Sequence, residues 1–155
     1  MELLVIGSNK FEDSQDCGKD KIYSISSLNN VDEIIEAVNE YMPDVLLVDF
    51  IQMRFLDYKD FRRVFTEFSD LIVGIIADKS NHDKILRELN AGDVEARAFC
   101  LEWADISSKN DLFENFRVMQ EIYSQNSNNG SNSFVLLFIV LILIVIAVLY
   151  FAFIY

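Results

Sequence analysis

The residues with the clearest potential for chemistry are aspartates that end or flank apolar segments. Asp49 ends the stretch "PDVLLVDF" (43–50), in which four apolar residues separate it from Asp44. A short continuous apolar run predicts a strand that is buried on both faces. A carboxylate at the end of such a strand could accept a phosphoryl group or bind a divalent cation. The alternative is a solvated side chain at a strand end.

Other reactive side chains are few. Asp44, Asp49 and Asp78 end or flank neighbouring predicted strands and could converge as a weak cation site, although such carboxylates are commonly just solvated. His82 is the only histidine, so it has no second histidine for a metal cluster, and its position predicts a solvated residue at a helix start. Cys17 and Cys100 lack metal-ligand spacing, which indicates a reduced compartment.

Composition excludes several classes of function. The net charge of −12 disfavours nucleic-acid binding and adsorption to an anionic lipid surface. The glycines of the first 123 residues never stand in the G-x-G-x-x-G or P-loop spacing that nucleotide phosphates require; they are Gly7, Gly18, Gly74 and Gly92. The sequence therefore predicts a protein that is not an enzyme and has no cofactor.

The chain divides into three parts. Residues 1–123 have the alternating pattern of a globular domain, and residues 124–133, "SQNSNNGSNS", form a predicted flexible linker without apolar side chains. Residues 134–155 contain no charge, Gly or Pro, and as a helix they would extend about 33 Å, enough for a bilayer core of about 30 Å. Because no signal peptide precedes them, we expect a single-pass tail anchor with the N-terminal domain in the cytosol.

Within the domain, apolar runs alternate with amphipathic stretches. The predicted strands cover residues 2–7, 21–26, 44–50, 71–77 and 96–103. The predicted helices cover residues 30–42, 56–68, 81–91 and 108–123. Because the strands are continuously apolar, we expect an α/β fold with a parallel sheet covered by helices on both faces.

Three segments carry a resemblance to a known family. "PDVLLVDF", "LIVGIIAD" and "EARAFCLEW" resemble the third, fourth and fifth strands of response-regulator receiver domains. The resemblance implies a flavodoxin-like, doubly wound, five-stranded sheet. It also places Asp49 at the family's phosphoacceptor position. Only residues 8–20 separate the first two strands, which predicts that the family's first helix is reduced or missing.

The sequence departs from the family at every partner of the phosphoacceptor. The acidic pair that holds Mg²⁺ is replaced by Gly7 and Ser8, and the hydroxyl residue of the fourth strand by Ile76. The phosphate-pairing lysine is replaced by Glu102, which has the opposite charge. Because one carboxylate binds Mg²⁺ weakly, the resemblance is to a degenerate receiver, or pseudo-receiver.

These observations favour a tail-anchored, non-catalytic scaffold that recruits a protein partner to a membrane. One alternative is a phosphorylatable receiver in which Asp49 accepts the phosphoryl group with Mg²⁺ as cofactor. Another is a structural subunit of a bacterial or viral membrane complex with a generic α/β fold.

The partner surface is predicted from the missing first helix. Without that helix, residues 108–123 would cover one sheet face alone and leave an apolar groove over strands 2–7 and 21–26. A partner's helix, or the same helix of a second copy, could occupy this groove. The predicted contacts are Phe113, Phe116, Ile122 and Tyr123, with Phe11 at the rim. The alternative is that the segment "FEDSQDC" folds back as a lid over the groove.

Overall fold

The structure is a computed structural model that describes residues 1–8, 10–11, 20–53, 56–91 and 97–124. The chain forms two compact units, Met1–Arg117 and Val118–Tyr155. The first unit contains the whole sheet. In the second unit, the described residues 118–124 are helical.

Five parallel strands form the sheet of the first unit. They are β1 (Glu2–Ile6), β2 (Lys21–Ile25), β3 (Val45–Asp49), β4 (Ile72–Ile76) and β5 (Ala98–Leu101). Their spatial order is β2-β1-β3-β4-β5, and each neighbouring pair is parallel. This is the flavodoxin-like strand order, so the predicted fold class is confirmed at the level of the sheet and its topology.

Three of the four described helices connect successive strands from β2 to β5, and the fourth follows β5. The four are α1 (Val31–Tyr41), α2 (Tyr58–Glu67), α3 (His82–Leu89) and α4 (109–124). The start of α1 follows from local chemistry, because the Asn30 side chain accepts a hydrogen bond of 3.0 Å from the Glu33 amide, a typical N-cap. At its end, Met42 adopts the left-handed conformation with φ 43°, and Pro43 follows.

One face of the sheet packs against α1, α2 and α3. Alternate strand residues point to this face, and they join a single core with the apolar stripes of the three helices. The strand contribution is Leu4, Ile6, Leu46, Val48, Val73, Ile75 and Ala98. The helix contribution includes Ile34, Val38, Phe61, Val64, Ile85 and Leu89, all nearly or fully buried.

The opposite face receives the first turns of α4. Phe116 is fully buried and packs edge-on against Phe99 of β5, with ring centroids 5.2 Å apart. Gly74 of β4 leaves the space for this ring, since a Cβ there would lie 2.9 Å from the Phe116 ring and 3.0 Å from Leu47. A glycine in the middle of a strand therefore permits the close approach of a helix.

The predicted groove over β1 is absent. Leu3, Leu4, Val5 and Ile6 have no exposed surface, so both faces of this strand are covered. An open apolar groove along residues 2–7 was therefore a wrong expectation, because the side chains of β1 are buried on both faces. Residues 22–25 of β2 are half-buried. The alternative of a lid formed by "FEDSQDC" falls mostly outside the described residues.

Other predicted boundaries are confirmed to within a few residues. The third helix was predicted to extend to residue 91, but α3 ends at Leu89 with Asn90 as its C-cap. Ser124, predicted as the first linker residue, is helical.

Three sequence predictions fall mostly on residues that the structure does not describe. These are the reduced first helix, the rest of the linker and the anchor at 134–155, which stay predictions. Across the described part of the chain, none of the helices has the length and hydropathy that crossing a membrane requires.

Candidate functional site

A crevice lies at the edge where the parallel strands end. The neighbours of β1 are β2 on one side and β3 on the other, so the loops after β1 and β3 lead away from each other at this point. Ligands of open parallel sheets bind at such a switch point. The crevice is lined by Gly7, Ser8, Lys10, Ser26, Ser27, Leu28, Asp49, Gln52, Met53 and Trp103.

Asp49 lies in the wall of the crevice and is only 2% exposed. Its Oδ1 accepts hydrogen bonds from the backbone amides of Ile51 (3.0 Å) and Gln52 (3.2 Å). Its Oδ2 accepts a hydrogen bond of 2.7 Å from the indole Nε1 of Trp103. The alternative of a solvated strand-end carboxylate is therefore wrong, because all three donors belong to the protein.

Trp103 is held against Asp49 by the short turn that follows β5. A 3-10 helix spans Trp103–Asp105, and the Glu102 amide donates to Asp105 Oδ2 at 3.2 Å. On the outer side of the indole, the Lys10 ammonium lies 4.1 Å from the ring centroid. Phe11 contacts the same ring system at a centroid distance of 6.0 Å. The indole therefore contacts a buried carboxylate through its N–H and an ammonium over its ring.

Gly7 shapes the floor of the crevice. Its φ is +83°, a conformation that glycine adopts readily and other residues rarely. A Cβ at this position would lie 2.8 Å from Cγ of Met53 and 3.2 Å from the Asp49 carbonyl oxygen. The loop after β1 thus passes so close to the loop after β3 that a larger side chain would be excluded.

Three of the positions compared in the sequence analysis, Gly7, Ser8 and Ile76, lie close to Asp49. Gly7 and Ser8 line the same crevice, and Ile76 is the register partner of Asp49 on β4. Glu102 follows β5, and its Oε1 accepts a hydrogen bond of 3.0 Å from the Lys79 amide. The carboxylate of Glu102 is thus engaged with the backbone of the loop that follows β4.

The proposed cation site of three aspartates is not formed. Asp44 precedes β3 at the opposite edge of the sheet, where its Oδ2 accepts a hydrogen bond of 2.7 Å from the Glu2 amide. Asp78 is exposed and precedes the 3-10 helix Lys79–Asn81. Asp44 lies just before the start of β3 and Asp49 at its end, so the two carboxylates are at opposite ends of the strand. The described residues contain no cluster of three or more metal-ligating side chains.

His82 and Cys100 have structural contacts. The Nε2 of His82 lies 3.0 Å from the Ala77 carbonyl oxygen, and the ring is half-buried rather than solvated. Burial raises the pKa of the Cys100 thiol to about 11, which disfavours the nucleophilic thiolate at neutral pH. Neither residue lines the crevice, and Cys17 lies outside the described residues.

The predicted partner-binding residues divide into two groups. Phe11, Phe113 and Phe116 are 7%, 2% and 0% exposed, so these side chains contribute to the interior of the first unit. Ile122 is 45% exposed and Tyr123 is half-buried. A role for any of the five in partner binding stays a prediction.

Sequence reasoning missed the residues that define the crevice beside Asp49. Trp103, Lys10, Ser26 and Ser27 gave no signal, because they belong to loops without a recognisable motif. A single tryptophan directly after a strand was the only available hint. Loops that follow parallel strands all meet at one edge of the sheet, so a sole tryptophan there is a candidate contact for the other loops.

Comparison with known proteins gives similarity at the level of solved structures only. No protein-family model and no curated protein sequence matches the chain. The receiver domain of a Francisella response regulator is 14% identical, with 79% of this chain and 98% of that chain covered and a TM-score of 0.47. A fusion protein that carries a trimeric coiled-coil segment of yeast Spc42 is 12% identical, with 81% and 82% covered and a TM-score of 0.49. The flavodoxin-like assignment rests on the observed strand order.

Proposed function

We propose that this chain is a non-catalytic protein-interaction module whose receiver-like domain is held at a membrane by residues 134–155. The observation that carries the non-catalytic part is the state of Asp49. Its carboxylate is 2% exposed and accepts three hydrogen bonds from the protein itself. A phosphoacceptor must instead offer a free oxygen to the incoming phosphorus atom.

The chemistry around Asp49 supports the same proposal. Phosphoryl transfer requires positive charge close to the transferred oxygens, supplied by Mg²⁺ and basic side chains. Gly7 and Ser8 carry no charge, Ile76 carries no hydroxyl, and Glu102 adds a negative charge. The Trp103 indole also donates a hydrogen bond to Oδ2 of Asp49, so this oxygen is not open to an incoming phosphoryl group. We expect the domain to act through its surface.

The membrane part of the proposal is supported by the sequence. Eighteen of the 22 residues from 134 to 155 are Leu, Ile, Val or Phe, and each contributes about −0.3 to −0.6 kcal/mol to insertion. Segments of this length and composition insert into a bilayer instead of adsorbing to it. The membrane would concentrate the domain near a partner that resides there.

Phosphorylation is tested with the full chain in detergent micelles. The protein is incubated with Mg²⁺ and acetyl phosphate, and its intact mass is measured alongside that of Asp49→Asn. We expect no mass increase in either protein. A gain of one phosphoryl group that Asp49→Asn lacks would establish the alternative of a phosphorylatable receiver.

Membrane attachment and partner binding need separate experiments. The full chain should stay in the membrane fraction after carbonate and high-salt washes, and its recovery in the supernatant would contradict the anchor. For the partner, crosslinking in native membranes is compared between the full chain and residues 125–155 fused to an unrelated soluble protein. A protein crosslinked to the full chain alone would identify the partner, and identical crosslinks for both would refute recruitment by the domain.

A further inference from the structure

The crevice beside Asp49 has the size of a small-molecule site. Its volume is about 850 Å³, within the range of about 300–1,000 Å³ that ligand sites occupy. It also lies at the switch point of a parallel sheet, where the fold leaves room between loops that diverge. Nothing in the proposed interaction role accounts for this volume.

The rim of the crevice is rich in hydrogen-bond donors. Ser26 and Ser27 follow β2 directly and are exposed, and Ser8 lies deeper, at 6% exposure. Lys10 adds an ammonium group, which lies over the Trp103 ring. Among the residues that the structure describes, no carboxylate forms an ion pair with Lys10. Serine hydroxyls and an ammonium that line the same crevice favour an anionic group.

The floor and one wall are apolar. Met53 is 3% exposed, Leu28 is half-buried, and the face of the Trp103 indole borders the same space. A fully hydrated inorganic ion would leave these surfaces without contacts. A ligand with an apolar or aromatic body could cover them and gain from burial of its own surface.

The negative charge of Asp49 is the main opposing feature. Both carboxylate oxygens accept hydrogen bonds from protein donors, and the group is 2% exposed. These donors stabilise the charge where it is. The Lys10 ammonium, 4.1 Å from the centroid of the Trp103 ring, supplies a positive charge to the same crevice.

We propose that this crevice binds a small organic anion, a carboxylate or phosphate monoester with an apolar body. The anionic group contacts Lys10 and the hydroxyls of Ser26 and Ser27. The apolar body packs on Trp103 and Met53. Binding of an anion in this crevice would not depend on the proposed recruitment function.

The test uses the intrinsic fluorescence of Trp103, the only tryptophan in the chain. Phenyl phosphate is titrated into the full-length protein in detergent micelles, and inorganic phosphate and phenol are titrated separately. Lys10→Met removes the charge and keeps an apolar side chain over the indole. Lys109→Met is the matched control, because Lys109 lines a smaller cavity that also borders Lys10 and Trp103. Ser27→Ala probes the rim without changing charge.

We expect a saturable change in Trp103 emission with phenyl phosphate, and weaker binding of both partial probes. Lys10→Met should raise the dissociation constant at least about tenfold, as loss of a charge-assisted contact does. Ser27→Ala should raise it by a smaller factor, and Lys109→Met should leave it unchanged within about twofold. Circular dichroism spectra should show all variants folded.

Three results would overturn the proposal. The first is the absence of a saturable change up to millimolar phenyl phosphate. The second is binding of phenol as tight as that of phenyl phosphate, which would exclude recognition of the anion. The third is a loss in Lys109→Met that equals the loss in Lys10→Met, which would place the anion in the smaller cavity.

Discussion

The indole Nε1 of Trp103 donates a hydrogen bond of 2.7 Å to Oδ2 of Asp49, across a sequence separation of 54 residues. This bond joins the end of β3 to the turn after β5 at the edge of the sheet where a receiver would carry out its chemistry. The Asp49 carboxylate therefore contributes to the packing between β3 and the turn after β5.

Replacement of Asp49 by alanine should therefore destabilise the domain. The change leaves the amides of Ile51 and Gln52 and the Trp103 indole without their acceptor, which we expect to lower the free energy of unfolding by roughly 2–4 kcal/mol. Asp78→Ala is the control, because Asp78 is exposed and makes no side-chain capping hydrogen bond, and it should change stability by less than about 0.5 kcal/mol. Chemical denaturation measures both, and equal stability of the two variants would show that Asp49 is not a structural residue.

Charge substitutions on α4 should separate core residues from surface residues. Phe113→Glu buries a carboxylate at a position that is 2% exposed, so the first unit should unfold or lose several kcal/mol of stability. Ile122→Glu, at 45% exposure, should leave the melting temperature nearly unchanged. A folded Phe113→Glu variant that fails to associate with a partner would instead support the predicted partner-binding role of Phe113.

Gly74→Ala should destabilise the domain through the Phe116 ring. The added Cβ would lie 2.9 Å from that ring and 3.0 Å from Leu47, and relief of this overlap costs about 1–3 kcal/mol in a packed core. The double variant Gly74→Ala, Phe116→Leu should lose less stability than the sum of the two single changes, because the smaller side chain makes room. Additive losses in a denaturation experiment would exclude a direct steric conflict.

The ion pairs of Asp20 predict a loss of stability in acid. A hydrogen bond from the N-terminal ammonium of Met1, together with the charge of Arg117, holds the pKa of Asp20 below its ordinary value of 3.8. A lowered pKa stabilises the folded state above the unfolded pKa, and this contribution is lost as the pH falls through the folded pKa.

Asp20→Asn should therefore be less stable than the original protein at pH 7. The difference should shrink as the pH falls below the ordinary value of 3.8 and disappear once the pH is below the lowered pKa of folded Asp20, where the original side chain also becomes protonated. Asp70→Asn is the control, since Asp70 is 91% exposed in its ion pair with Arg97 and should contribute little at any pH. Melting temperatures of both variants and of the original protein are measured across this pH range. A difference between Asp20→Asn and the original protein that persists in acid would contradict the stabilising role of the Asp20 charge.

Cys100 should react slowly with alkylating reagents. With the thiol pKa raised to about 11 by burial, the thiolate fraction at pH 8 is about a hundredth of that of a thiol near 9. Iodoacetamide labelling of the Cys100 peptide, followed by mass spectrometry, should be at least about a hundredfold faster in denaturant than in the folded protein. Similar rates in both conditions would show that the thiol is accessible and unperturbed.

The order of strands and helices could be predicted from the sequence because it depends on local patterns. Continuous apolar runs such as residues 45–48 form buried strands, and the apolar spacing of residues 31–38 forms the inner face of α1. The Asn30 cap is a local feature of the same kind, since an N-cap needs only residues that lie three positions apart. A parallel sheet with helical connections followed from these elements.

The environment of Asp49 was decided only by the tertiary structure. The sequence showed a carboxylate at the end of a strand, and the same pattern would suit a phosphoacceptor, a metal ligand or a solvated residue. Its partner, Trp103, follows β5, which is separated from β3 in the sheet by β4. Contacts of this kind depend on side-chain positions that no local periodicity specifies.

The burial of α4 shows the same limit. Phe113 and Phe116 were predicted as partner contacts from the apolar character of this helix, but the sequence could not distinguish side chains that contact a partner from side chains that cover the sheet. Gly74 decides in favour of the sheet for Phe116, because the missing side chain lets the ring approach β4. The hydrophobicity of a side chain can be read from the sequence. The surface against which that side chain packs depends on residues that are distant in the sequence, such as Gly74 for Phe116.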